Sequence, residues 1–265
     1  MTVAVDLFWD AENSTDGTTM TTTIMGNGTH VSATGAWNLN NSSNFTVSTS
    51  GQKGHGTREF SVSGTPYTDS AGTRGMRQDH STQGGVDKWF YWEKTVPTAK
   101  WSASIWFKTG IAYQDFESYT VFGLIDSGFA GGAMFNLQTF GGSSHETYIE
   151  NVSSDLTQGP SLLKDTWYLI CLLYDKANNL GKLAIFDTSY AQVGSTVQQA
   201  LNSAGSPGDC SHVRVGSFGG GFPSHAVFSY YDDLAVDMSG TTFPLLPTAA
   251  AGGAAAKSLA LLGVG

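Results

Sequence analysis

Asp165-Thr166-Trp167-Tyr168-Leu169-Ile170-Cys171-Leu172-Leu173-Tyr174-Asp175, followed by Lys176-Ala177-Asn178-Asn179-Leu180-Gly181 and then Lys182-Leu183-Ala184-Ile185-Phe186-Asp187, reads as a β-hairpin. Two short segments rich in aromatic and β-branched residues flank a polar stretch whose two Asn and one Gly tolerate the positive φ of a tight return. The first segment does not alternate. Tyr168, Ile170, Leu172 and Tyr174 line one face and Trp167, Leu169, Cys171 and Leu173 the other, so both faces are apolar. A strand of that kind belongs in the middle of a sheet and is covered on both sides.

The 265 residues can bury roughly 70% of their unfolded surface around one core without a disulfide or metal staple. Charged residues make up 13% of the chain, about half the usual share, and 33 residues are Gly. The polar surface must therefore be built from Ser, Thr, Asn and Gly, which repels other copies weakly and favours assembly. The net charge of -9, with 13 Lys and Arg scattered singly, excludes a nucleic-acid partner, because nothing here displaces counterions from phosphate. No run of about 20 apolar residues provides a membrane span. Met1-Thr-Val-Ala-Val-Asp6 has neither a charged n-region nor an apolar h-region, so no export signal is expected. Cys171 and Cys210 either pair or stay as buried free thiols.

An apolar strand is expected from Val3 to Trp9. Through His55 the chain is dominated by Thr, Ser, Asn and Gly, with apolar pairs at Ile24-Met25, Trp37 with Leu39, and Phe45 with Val47, which suits short edge strands and long turns. Further strands are expected around residues 58–62, 88–94, 103–108, 119–125, 133–139, 147–152, 213–216 and 226–236. Trp89 and Tyr91 alternate with Phe90 and Trp92, again apolar on both faces; Ala103, Ile105 and Phe107 form one side of their strand and Ser104, Trp106 and Lys108 the other. No helical period appears, and the whole reads as an all-β sandwich.

Ser102-Ala-Ser-Ile-Trp-Phe-Lys-Thr-Gly110, Thr120-Val-Phe-Gly-Leu-Ile125, Asp165-Thr-Trp-Tyr168 with Tyr174-Asp175, Gly181-Lys-Leu-Ala-Ile-Phe-Asp187 and Tyr231-Asp-Asp-Leu-Ala-Val236 resemble successive strands of the laminin-G-like or concanavalin A-like lectin/glucanase jelly roll. The resemblance covers about residues 85–238. It implies one β-sandwich domain over residues 1–240, followed at 241–265 by a Pro-containing and then Ala/Gly-rich tail. Leu259, Leu261, Leu262 and Val264 at its end form an apolar plug expected to dock on a neighbouring subunit.

Relatives of this fold include glycan hydrolases that use two carboxylates. The chain lacks the Glu-x-Asp-x-x-Glu strand of the glucanase branch, Asp115-Phe-Glu117 being nearest, and Arg58-Glu59 lacks the Arg-x-Glu-x-Arg spacing of the alginate-lyase branch. No catalytic residue is therefore assigned. Resemblance to calcium-dependent members draws attention to Asp10, Glu12 and Asp16 at the start and Asp232, Asp233 and Asp237 at the end. First and last strands of a jelly roll often pair, and calcium takes six to eight oxygens. The alternative is that Asp232 accepts backbone N–H bonds from a bend and the others are turn residues. Six scattered His residues assemble no nucleophile-base set.

For a sugar, which stacks its apolar face on an aromatic ring, the candidates are Trp106, Trp89, Trp92 and Trp101. Trp106 leads because its strand neighbours Ser104 and Lys108 are polar. The composite expectation is a non-enzymatic structural or adhesive module. It would sit on a virion or other extracellular surface, as in a bacteriophage capsid decoration or fibre, with other protein subunits as partners, weak glycan affinity and no cofactor beyond calcium. The alternatives are a soluble carbohydrate-binding lectin and a polysaccharide hydrolase or lyase. The apolar Leu169/Cys171/Leu173 face must be covered, either by loops around residues 37–45 and 89–92 or by a partner.

Overall fold

The hairpin forms as the sequence reads, and it sits mid-sheet. A computed structural model of the chain describes residues 3–11, 15, 18–27, 29–40, 45–48, 58–68, 74–79, 88–111, 117–139, 143–218 and 228–246. In chain order the strands are β1 (Val3–Ala4), β2 (Leu7–Trp9), β3 (Thr29–Val31), β4 (Gly35–Asn40), β5 (Phe45–Ser48), β6 (Glu59–Val62), β7 (Thr65–Thr68), β8 (Gly75–Asp79), β9 (Lys88–Thr98), β10 (Lys100–Thr109), β11 (Glu117–Asp126), β12 (Gly132–Thr139), β13 (Glu146–Glu150), β14 (Leu156–Gln158), β15 (Tyr168–Asp175), β16 (Leu180–Phe186), β17 (Val197–Ala200), β18 (Cys210–Phe218) and β19 (Phe228–Asp237). A short helix, α1 (Thr22–Asn27), stands where only edge strands were expected. The Thr21 hydroxyl caps its first turn by accepting from the Ile24 N–H, and Met25 anchors it in the core.

Two antiparallel sheets face each other. The first runs β17-β16-β15-β10-β19-β2-β3, with β8 pairing the first half of β19 and β5 pairing β8. The second runs β14-β13-β12-β11-β18-β9-β4. A small third sheet, β1-β6-β7, takes Val3 and Ala4 out of the single N-terminal strand the sequence suggests. Early and late strands do pair, with Trp9 opposite Leu234. The all-β sandwich expected from the strand pattern is thus the fold.

The main core fills the space between the sheets. Ile105, Phe107, Ile170 and Leu172 from the first sheet meet Phe90, Leu124, Phe135 and Val213 from the second. In the β15–β16 turn the Asp175 carboxylate accepts from the Asn178 N–H, and Asn179 adopts φ 46, the positive value for which an Asn is suited. Gly181 is not a turn residue: it lies in β16, where a Cβ would stand 3.0 Å from the Ala133 methyl. Cys171 and Cys210 are both buried free thiols, on different sheets.

The outer face of the first sheet holds a second apolar cluster of Trp106, Leu169, Cys171, Ala184 and Phe186. Its cover differs from the expectation. None of the described residues of 37–45 and 89–92 lies there; Trp167, Tyr190, Phe243 and Leu246 pack onto it. Residues 242–246 therefore form a strap and belong with the sandwich. Ser102 Oγ donates to the Thr242 carbonyl (2.5 Å), Arg58 to the Leu245 carbonyl (3.2 Å), and the Thr242 N–H to the Asp237 carboxylate (3.0 Å).

The strap leaves β19 through a turn fixed by Gly240, which has φ 59 and whose Cβ would stand 3.1 Å from the Trp101 N and press on the Lys100 side chain. Gly240→Ala is expected to cost about 2 kcal/mol from left-handed strain plus crowding. An unchanged urea midpoint would show that the turn yields freely.

Candidate functional site

Three of the four tryptophans proposed for sugar binding are withdrawn by the structure. Trp92, Trp101 and Trp106 are 1%, 0% and 0% exposed, so none presents a ring to a ligand. Trp92 and Trp101 lie in the inter-sheet core, 6.4 Å apart between ring centroids, and the Trp101 indole N–H donates to Thr98. Trp106 lies beneath the strap. Its polar neighbour Ser104 faces no solvent: it binds the buried Arg58 guanidinium at 2.6 Å. Trp89 alone is partly open.

The chain does bring Asp10 beside β19, but no group of three or more His, Cys, Asp or Glu side chains able to hold a metal forms among the described residues. Asp232 and Asp233 are buried. Asp232 Oδ1 accepts the Asp233 N–H at 3.0 Å, at a bulge where Asp233 has φ 47, and the cation facing this bend is Arg58, which donates to the Asp233 carbonyl at 3.1 Å. Asp232 thus accepts a backbone N–H of the bend. Asp237 likewise serves a turn, accepting from Ser239, Gly240, Thr241 and Thr242. Glu12, Asp16, Asp115 and the plug residues Leu259, Leu261, Leu262 and Val264 lie outside the described residues.

A different strip collects the groups suited to recognition: the outer face of the second sheet. Alternation on each strand puts Phe90, Trp92, Val213, Val215, Phe135 and Ile149 inward. It leaves Trp89, Tyr91 and Glu93 on β9, His212 and Arg214 on β18, Asn136 and Gln138 on β12, and Glu146, Tyr148 and Glu150 on β13 outward; of these Asn136, Gln138, His212 and Arg214 are buried, and the β9 and β13 side chains are the partly exposed ones. The register aligns Glu150, Met134, Gly123, Arg214 and Tyr91 in one row across five strands.

One half of the strip is aromatic. The Arg214 guanidinium lies 4.4 Å from the Trp89 ring centroid, 4.4 Å from that of Phe129 and 5.8 Å from that of Tyr91. Phe129, in the β11–β12 turn, is 54% exposed. Beside the stack, burial lowers the His212 pKa, with Glu93 pulling the other way. A neutral imidazole suits both contacts, Nδ1 accepting from Ser211 Oγ at 2.7 Å and Nε2–H facing Glu93 at 3.5 Å.

The other half is a hydrogen-bonded polar ladder. Thr120 and Asn136 both donate to Glu150 Oε2 at 2.9 Å, Ser118 donates to Asn136 at 3.2 Å, and Gln138 to Ser118 at 3.0 Å. Tyr148 donates to Glu146 at 2.6 Å; burial and that carboxylate push its pKa up to about 12, so it stays a phenol.

At one end the strip runs into an open depression of about 500 Å³ lined by Val96, Pro97, residues 126–130 without Phe129, Gly208 and Asp209. Its two rims are held together by Asp126, whose oxygens accept from the Ala130 N–H (2.8 Å) and the Gly208 N–H (2.7 Å). Val96 on the rim is 69% exposed. The sequence carries half of this: the parity of Trp89/Tyr91/Glu93 and of His212/Arg214 is visible, but their juxtaposition requires the β9–β18 pairing across about 120 residues.

No family model matches the chain, and no curated protein matches it. Among solved structures it is similar to the botulinum neurotoxin serotype D binding domain, at 8% identity and TM-score 0.48, covering 88% of this chain and 47% of that one. Peanut lectin is matched at 12% identity and TM-score 0.41, over 61% of this chain and 84% of the lectin. Alginate lyase from Alteromonas sp. 272 is matched at 7% identity and TM-score 0.40, over 60% and 82%. The chain spans about half the length of the toxin binding domains it matches. What the chain itself forms is an all-β sandwich of two facing antiparallel sheets.

Proposed function

We propose that this chain is a non-enzymatic binding module whose ligand is a glycan laid across the outer face of the second sheet. The observation that carries the reading is the pairing of ring faces at Trp89, Tyr91 and Phe129 with a ladder of hydroxyl, amide and carboxylate groups on the same strip. From β13 to β9 the strip is about 19 Å wide at the usual strand spacing, room for several sugar rings. Rings take the apolar faces of pyranoses, and the exposed members of the ladder, Ser118, Glu146, Tyr148 and Glu150, take their hydroxyls.

The carboxylates favour binding over cleavage. Glu146 and Glu150 sit four residues apart on β13, about 13 Å between Cα atoms at the usual rise per residue. Glu146 is engaged by the Tyr148 hydroxyl at 2.6 Å. Glu150 is also held by Thr120 and Asn136. The sparse surface charge fits residence on a particle or cell surface among other subunits.

Phe129→Ala is expected to weaken binding to the glycan selected from an array by about 3–10-fold, the size of one ring contact. Its thermal midpoint should stay near that of the parent because the ring is more than half exposed. Absence of binding to every printed glycan would overturn the reading, and shortening of a bound oligosaccharide during incubation would overturn its non-enzymatic half.

A further inference from the structure

We infer that the strip selects neutral glycans and rejects uronic-acid and other anionic ones; the inference rests on the glycan-binding reading above. Among the described residues, the outward charged side chains of this face are the carboxylates of Glu93, Glu146 and Glu150 against the single guanidinium of Arg214. Three negative charges face one positive. The positive one is also the least available, since Arg214 is 6% exposed and lies between the Trp89 and Phe129 rings. His212 adds no second cation near neutral pH, because burial lowers its pKa. At the adjoining depression the charges are Asp126, occupied by two backbone N–H groups, and Asp209, paired with Lys176 at 2.9 Å.

A sugar hydroxyl suits this set because it donates to carboxylate oxygens that still have lone pairs, at Glu146 and Glu150. A uronate at the same place brings an acceptor with nothing to donate and a charge of the sign already in excess. The resulting repulsion is electrostatic, so it must weaken as salt shortens the screening length from about 30 Å at 0.01 M to about 3 Å at 1 M. A steric rejection would not.

The experiment compares the unmodified protein on neutral glycans and their C6-oxidised counterparts of equal linkage and length, such as β-1,4-mannohexaose and β-1,4-hexamannuronate, printed on one array and then titrated in solution. Neutral members should bind at least about 10-fold more tightly than their uronate partners at 20 mM salt. The gap should narrow several-fold at 0.5 M salt, and Glu150→Gln should narrow it at low salt. Equal or tighter binding of the uronates, or a gap that salt leaves untouched, overturns the charge selection while leaving glycan binding in place. Binding to neither class overturns the function itself.

Discussion

Replacing Arg58 with Ala is expected to lower the unfolding free energy by about 3–5 kcal/mol and to make the Cys171 thiol reactive. Arg58 is 0% exposed and its guanidinium ties three distant segments together: Ser104 on β10, the Asp233 carbonyl on β19 and the Leu245 carbonyl of the strap. Phe60 lies 4.8 Å and Trp106 5.8 Å from it, so the charge is housed among rings rather than water. Truncation leaves buried acceptors without this donor, each costing about 1–3 kcal/mol, and leaves Asp232 and Asp233 buried without the adjacent cation. The strap loses its outer attachment at Leu245 and should lift from Trp106, Leu169 and Cys171. Arg58→Lys keeps the charge but cannot reach three acceptors with one fork, and should lose about half as much. Urea titration gives the energy, and thiol labelling locates the opening, with Cys210 in the inter-sheet core as the internal control. An unchanged midpoint together with a silent Cys171 would show that Arg58 does not hold the strap.

This clasp marks the limit of what was legible in the sequence. The β15–β16 hairpin, its central position and the two-sheet architecture follow from residue type at period two over short windows, where local pattern and burial agree. Trp106 shows why the same logic fails for a site. The alternation Ser104-Ile105-Trp106-Phe107-Lys108 says that two faces differ, but not what covers the more polar one. Its cover, Phe243 and Leu246, lies about 140 residues away, and Ser104 is satisfied by Arg58 from 46 residues upstream. Lys108 likewise rests over Trp167 and Tyr230, at 5.0 and 4.5 Å, rather than marking an open surface. The strip on the second sheet was half visible for a related reason. Trp89 could be named from its own strand, whereas Arg214 and Phe129 join it only through strand pairings that no local window contains.

Acidification should destabilise the protein well above the range in which its carboxylates titrate, and His145 is expected to be the main cause. His145 is 0% exposed between the β-bridge to Leu162 and the core. Burial is the largest influence on it; a backbone bond near Ile111 and the Asp165 charge oppose it, Lys164 adds to it, and the net effect pushes the pKa down to about 4. In the unfolded chain the imidazole binds a proton near pH 6.5, but the folded protein binds it only near 4. Between those values the unfolded state holds more protons, so stability rises with pH across the window and falls as the solution is acidified. The full difference is about 3 kcal/mol, complete below pH 4 and absent above 6.5. His212, also lowered by burial, adds with the same sign. Asp155 and Asp187, whose pKa values are held below the ordinary 3.8 chiefly by hydrogen bonds from Ser203 and Ser189, act in the usual acid range beneath this window. Urea midpoints measured from pH 7.5 to 4.5 should therefore fall steadily, and His145→Gln should flatten most of that slope even if it lowers the plateau at pH 7.5. A parent protein equally stable at pH 7.5 and 4.5 would mean that burial does not hold His145 neutral across that window.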